Sequence, residues 1–143
     1  MAAAPLRLLP VLVTVALTLS ACGQTSKDSA KDFKGDQKAV AQTVEDLQKA
    51  SSKGDQDRIC ELLAPALVTK IKAASKGTCP DAVSDALRDS DSFELQVKKV
   101  AISGTTATAT VESDAAGDDK RTDTLQLVKS GAGWKLATLG SAS

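Results

Sequence analysis

The chain has no histidine and no tyrosine, and only one tryptophan and two phenylalanines among its 143 residues. Without imidazole it lacks the usual general base near neutral pH and a common metal ligand. Phe33, Phe93 and Trp134 are the only aromatics, too few for the platforms on which single-stranded nucleic acids stack. Charge of one sign is missing too: 18 basic residues balance 18 acidic ones. Nucleic-acid binding would require a basic face, so that class of partner is excluded. No internal repeat is visible. What remains is a chain rich in small aliphatic residues, with a hydrophobic start and a patterned body.

The start reads M-A-A-A-P-L-R-L-L-P-V-L-V-T-V-A-L-T-L-S-A-C. Arg7 is its one charge, and Leu8 to Leu19 supplies a mainly apolar run of secretory h-region length. A membrane-spanning helix needs about 20 such residues, so this run is too short, and Pro10 weakens it further. Leu19-Ser20-Ala21-Cys22 resembles the lipobox of bacterial lipoproteins: an aliphatic residue, two small ones and a cysteine. The resemblance implies a lipoprotein signal peptide over residues 1–21, cut after Ala21, with diacylglycerol on the Cys22 thiol. The partner is then a membrane, held through lipid on Cys22 at the extracytoplasmic face. Each buried acyl CH₂ adds about 0.8 kcal/mol of membrane affinity, so two or more chains anchor a domain firmly. The alternative is an ordinary secretory signal whose mature start happens to contain cysteine.

Removal of residues 1–21 leaves 122 residues, enough for one domain with one core. Residues 22–36 are polar and nearly free of aliphatics, as in a flexible tether. Phe33 is the exception, free either to fold back on the first helix or to lie exposed. Two thiols remain, Cys60 and Cys79. An even remainder outside the cytoplasm fits one disulfide. Closure of a loop of about 20 residues contributes roughly 3 kcal/mol in the chain-entropy model. Zinc and a reactive thiol are the alternatives, but two cysteines without histidine make a poor zinc set.

Residues 37–140 read as a single α+β domain. Val40, Val44 and Leu47 recur at helical spacing between Asp36, a candidate N-cap, and Gly54, a candidate stop. Asp55 or Asp57 can cap a short second helix with Ile59, Leu62 and Leu63 inward, which Pro65 interrupts. A third segment ends before Gly77. Thr78 opens a fourth helix with Pro80 in its first turn and Val83 and Leu87 on one face. The period then changes to two. Phe93, Leu95 and Val97 alternate, Lys98-Lys99 breaks the phase before Val100 and Ile102, and a β-bulge is expected there. Ser103-Gly104 turns into a strand with Ala107, Ala109 and Val111 inward. Residues 114–120 read as a loop, T-D-T-L-Q-L-V-K as a third strand, S-G-A-G as a turn and W-K-L-A-T-L as a fourth. Helices followed by a meander predict helices packed on one face of a four-stranded antiparallel sheet.

This order, with K-G-D closing the first helix, I-C-E-L-L-A-P in the second, a second cysteine before another helix and G-W-K-L at the end, resembles the nuclear transport factor 2-like superfamily. It is especially similar to small actinobacterial lipoproteins of that kind. The resemblance covers about residues 37–140. It implies a curved sheet wrapped around its helices as a cone with a pocket at the open end. Some relatives are enzymes and many are binding or accessory modules, and fold alone does not choose between them.

Enzymes of that superfamily use pocket tyrosine, histidine or aspartate, and this chain lacks the first two. Asp85, Glu94 and Glu112 are the acidic residues that a pocket enzyme could use; each reads better as a solvated surface carboxylate. No catalytic residue is assigned, and no metal site or cofactor is expected. The carboxylate-rich stretches over residues 89–94 and 114–119 do not match a calcium loop with its central glycine and spaced ligands. Lys98-Lys99 is too short for a lipid-binding polybasic patch. Trp134 and Phe93 are candidate pocket-lining residues, although a lone tryptophan in such a domain commonly plugs the core. The expected function is a non-enzymatic, lipid-anchored extracytoplasmic module for a small apolar ligand or a protein partner. The alternatives are an enzyme of the same fold using a pocket carboxylate and a structural spacer of the cell envelope.

Overall fold

The computed structural model describes residues 28–88, 93–115 and 120–140, with Phe93 and Ala115 placed by backbone alone. The expected signal segment, the Cys22 lipidation site and the first part of the tether lie outside the described residues. The tether does not reach residue 36, however. Ser29 and Ala30 are buried, and a 3-10 turn, Ala30–Asp32, leads into the first helix. Phe33 is half-buried against the core. What draws this polar stretch inward is Glu45, itself buried, which accepts hydrogen bonds from the Ala30 amide at 2.7 Å and the Ser29 hydroxyl at 3.3 Å. Ser29 Oγ in turn accepts from the Val97 amide at 3.1 Å. Composition could not disclose this, because the acceptor lies on another element.

Helix α1 spans Gly35–Lys53, and its stripe of Val40, Val44 and Leu47 is buried as the spacing predicts. Asp36 is not its cap: it sits in the first turn, where its carboxylate pairs with Lys129 at 3.3 Å. Gly54 ends α1 at a φ of 66°, a left-handed conformation that costs glycine little. The Asp55 amide then reaches back to the Ala50 carbonyl, and the Asp55 carboxylate accepts from the Arg58 amide to cap α2, Gln56–Leu62. Pro65 opens α3, Pro65–Ser75, at a position whose amide needs no partner. Thr78 caps α4, Cys79–Arg88, through a reciprocal box: the Asp81 amide donates to Thr78 Oγ1, and Asp81 Oδ2 accepts from the Thr78 amide.

Four strands follow as a meander, β1 Phe93–Ser103, β2 Thr106–Ala115, β3 Lys120–Ser130 and β4 Gly133–Leu136, in spatial order β1-β2-β3-β4 and antiparallel throughout. The register shifts between Val97 and Lys99, where the phase break predicts a bulge. The extra residue lets both Val97 and Val100 point inward, and both are buried. Ala107, Ala109 and Val111 are buried as expected. Two strand ends differ from expectation. Pairing of Asp114 with Lys120 carries β2 and β3 into the stretch read as a loop. The fourth strand stops at Leu136: the Ala137 amide still donates to the opposite Gln126 carbonyl, but the Gln126 amide goes to Thr138 Oγ1 at 3.2 Å. Beyond it, Leu63 bridges Leu136, and the Ala64 amide donates to the Leu136 carbonyl at 2.7 Å, so the α2–α3 connection covers part of the β4 edge.

The helices lie on one face of the sheet. Cross-strand rows on that face run Ile102–Ala107–Leu127–Leu136 and Val100–Ala109–Leu125. They pack with α1, Ile59, Leu62 and Leu63 in one core. Leu127 and Leu136 are wholly inaccessible.

Candidate functional site

Cys60 in α2 and Cys79 at the first position of α4 are joined as a disulfide, with Cα atoms 6.2 Å apart. The bond ties α4 to α2 and, through it, to the body of the domain. Apart from Cys79, α4 has no fully buried residue. Val83 and Leu87, expected on a core-facing stripe, pack against the core but are only half-buried, and both also line a cavity.

That cavity measures about 590 Å³. Its helical wall comprises Leu47 and Ser51 of α1, Ile59 of α2, and Val83, Ala86 and Leu87 of α4. Its sheet wall is formed by Leu95, Val111, Ser113 and the β3 residues Arg121, Asp123 and Leu125, and Leu139 completes it. Register explains the polar end. Leu125, Asp123 and Arg121 alternate along β3 and share its inner face, and their partners on β2 are Ala109, Val111 and Ser113. The buried row Val100–Ala109–Leu125 is thus followed by Val97–Val111–Asp123 and then by Leu95–Ser113–Arg121. Moving out along the sheet, the inner face changes from aliphatic to charged, and the last rows line the cavity. Asp123 is half-buried, Arg121 is exposed, and Leu139 stands 54% exposed at the margin. A cavity of this size falls within the roughly 300–1,000 Å³ of small-molecule sites, and a mostly apolar lining with a few polar groups is their usual character.

The candidate pocket residues fare differently. Trp134 does not line the cavity. It pairs with Lys129, two rows beyond Leu125 and away from the cavity, and is buried with Lys129 Nζ 5.7 Å from its ring centre. The tryptophan therefore plugs the far end of the core. The Phe93 side chain lies outside the described residues. Asp85 is exposed and paired with Arg88, Glu94 is exposed, and neither lines the cavity. Glu112 faces the other side of the sheet, between Lys120 at 3.3 Å and Lys98 at 3.7 Å. The hydrogen bond from Lys120 leads in holding its carboxyl below the ordinary range. The acidic stretches over 89–94 and 114–119 lie mostly outside the described residues. Sequence reasoning missed Ser113, Arg121 and Asp123. A signal was present: Asp123 stands in phase with Leu125 and Leu127, so any strand that buries the leucines turns this carboxylate inward.

The fold has counterparts among known proteins. A family described as "Putative lumazine-binding" matches residues 35–139. No curated protein matches the chain. The solution structure of a SEC-C motif containing protein from Rhodopseudomonas palustris is similar in fold, with a TM-score of 0.56 and 18% sequence identity, covering 86% of this chain and 95% of that one. Because the family match spans most of the sequence, from the start of α1 to the margin of the cavity, the chain belongs to this lumazine-binding-like family, whose fold is of the nuclear transport factor 2-like kind.

Proposed function

We propose that the protein is a lipid-anchored extracytoplasmic binding module that takes a small, largely apolar ligand into the cavity between α1, α2, α4 and the sheet. The observation that carries this reading is the cavity itself: about 590 Å³, walled mainly by aliphatic side chains, with its charged groups at one end of the sheet wall. The family description names lumazine, and a bicyclic heterocycle of that kind is the first ligand to try. The anchoring part of the reading rests on the lipobox-like Leu19-Ser20-Ala21-Cys22. In this reading the domain is the open cone that the family resemblance implies, with the cavity as its mouth.

A second reading has one specific observation in its favour. Asp123 is a carboxylate on the wall of an apolar cavity, where an enzyme of this fold could use it as a base. No tyrosine or histidine exists to accompany it, which favours binding over catalysis.

The test is calorimetric titration of the full chain with lumazine, beside an Ala86→Trp variant. Ala86 lines the cavity and is itself exposed, so tryptophan there occupies the space without replacing a buried core side chain. Binding by the natural chain and its loss in Ala86→Trp is the expected result. Equal heats in both proteins would remove the cavity as the site, and turnover that disappears in Asp123→Asn with binding retained would favour the enzyme.

A further inference from the structure

The charges on the two faces of the sheet are treated differently. On the outer face Glu112 is paired with Lys98 and Lys120, and elsewhere on the surface Lys129 meets Asp36 and Arg58 meets Asp46 and Glu61. Arg121 and Asp123 both line the cavity, yet among the described residues neither side chain has an ion-pair or hydrogen-bond partner. They do not pair with each other either. They stand two residues apart on one face of β3, about 7 Å along the strand, with the Ser113 hydroxyl on the residue paired to Arg121. On the same face Leu125 and Leu127 are buried aliphatics. A strand that was only closing the core would continue that pattern, whereas this one ends its inner face in a donor and an acceptor that have no partner among the described residues.

We infer that Arg121 and Asp123 are the specificity-determining pair of the cavity, selecting a net-neutral ligand whose polar edge offers an acceptor to the guanidinium and an N–H or O–H to the carboxylate. This inference rests on the reading of the cavity as a ligand site. A simple anion drawn by Arg121 meets the like charge of Asp123, and a simple cation drawn by Asp123 meets Arg121. A molecule carrying both functions satisfies the two at once, with its apolar body against Leu47, Ile59, Val83 and Leu87. Cyclic amides and imides fused to an aromatic ring have that shape and edge. Zwitterions share the chemistry but carry full charges on both ends. The Ser113 hydroxyl donates to the Arg121 backbone carbonyl at 3.5 Å, which leaves its oxygen to accept from a ligand.

Four probes separate these cases: quinazoline-2,4-dione, naphthalene-2-carboxylate, 2-naphthylmethylamine and, as the zwitterion, phenylalanine. Each is titrated into the full chain and into Arg121→Ala, Asp123→Ala, the exchanged Arg121→Asp/Asp123→Arg protein and Ala86→Trp. The natural protein should prefer the dione. Either alanine substitution should weaken the dione at least about tenfold, the loss of one hydrogen bond to a charged group. Arg121→Ala should also shift preference toward the amine, and Asp123→Ala toward the carboxylate. Both positions are solvent-accessible, so unfolding midpoints near the natural value are expected and are checked for every variant. Dione affinity unchanged in both alanine variants, but lost in Ala86→Trp, would overturn the role of the pair and leave the cavity reading standing. No probe bound by the natural protein, or binding indifferent to Ala86→Trp, would overturn both. Preference for phenylalanine over the dione, lost in both alanine variants, would keep the pair and assign it to zwitterions.

Discussion

Glu45 shows how one side chain extends the domain. Its carboxylate lies in the core-facing half of α1, and its hydrogen bonds to Ala30 and Ser29 hold the segment before the helix. Glu45→Ala leaves the buried Ala30 amide without its acceptor, at a cost of about 1–3 kcal/mol. The expected readout is a lower urea midpoint with faster hydrogen exchange at Ala30 and Val97; Glu45→Gln, which keeps an acceptor oxygen, should fall between. Unchanged exchange at Ala30 in Glu45→Ala would mean that the segment is held by something else. Glu112 carries a pH dependence of its own. Its pKa is lowered in the folded state, chiefly by the Lys120 hydrogen bond, so its contribution is present above the unfolded carboxylate pKa of about 4.3. That contribution is lost as pH falls through the folded value. Natural and Glu112→Gln proteins should therefore differ in denaturant midpoint at pH 7 and converge toward pH 3. The effect is small at so exposed a pair, and a gap that persists at pH 3 would contradict the assignment.

Among the elements, α4 depends most on a covalent bond. It presents half-buried Val83 and Leu87 to the cavity, its only buried residue is Cys79, and the disulfide fastens that residue to α2. Removal of the bond releases a loop with a sequence separation of 19, which the chain-entropy model values at about 3 kcal/mol. Cys60→Ser/Cys79→Ser should lose about that much stability by urea denaturation. Hydrogen exchange should accelerate in α4 well before β2 and β3, because the sheet keeps its ladders. Uniform acceleration across the domain would show that α4 is held by packing instead. The β1 bulge and the α2–α3 connection are the other elements with a clear task. The first keeps Val97 and Val100 on one face, and the second covers the edge of a strand only four residues long.

At the scale of the whole molecule, the proposal joins a membrane address to a soluble cavity. Two acyl chains contribute far more affinity than the single chain that gives only marginal binding, so Cys22→Ser should move the protein from the membrane fraction to the soluble one. A variant that still sediments with membranes would exclude lipid on Cys22 as the anchor. Among the described residues no helix is long and apolar enough to cross a membrane. The cavity lies between helices and sheet, so a ligand held there would be lined by six of the chain's elements at once. Binding should accordingly raise the unfolding midpoint of the domain as a unit.

The order of elements, the buried stripe of α1, the cap at Thr78 and the bulge at Lys98-Lys99 could all be read from the residues alone, whereas the cap of α2 was narrowed only to Asp55 or Asp57. Each depends on neighbours a few positions apart, where period and turn chemistry act. The pairing of Cys60 with Cys79 followed from their number and the expected extracytoplasmic setting. Only the tertiary structure decided that Ser29 and Ala30 belong to the folded body, that Trp134 closes the end of the core remote from the cavity, and that Val83 and Leu87 line that cavity. It alone gathered Ser113, Arg121 and Asp123 on one wall. Such facts depend on which distant side chain meets which, and strand register together with helix placement sets those meetings, which local pattern does not encode.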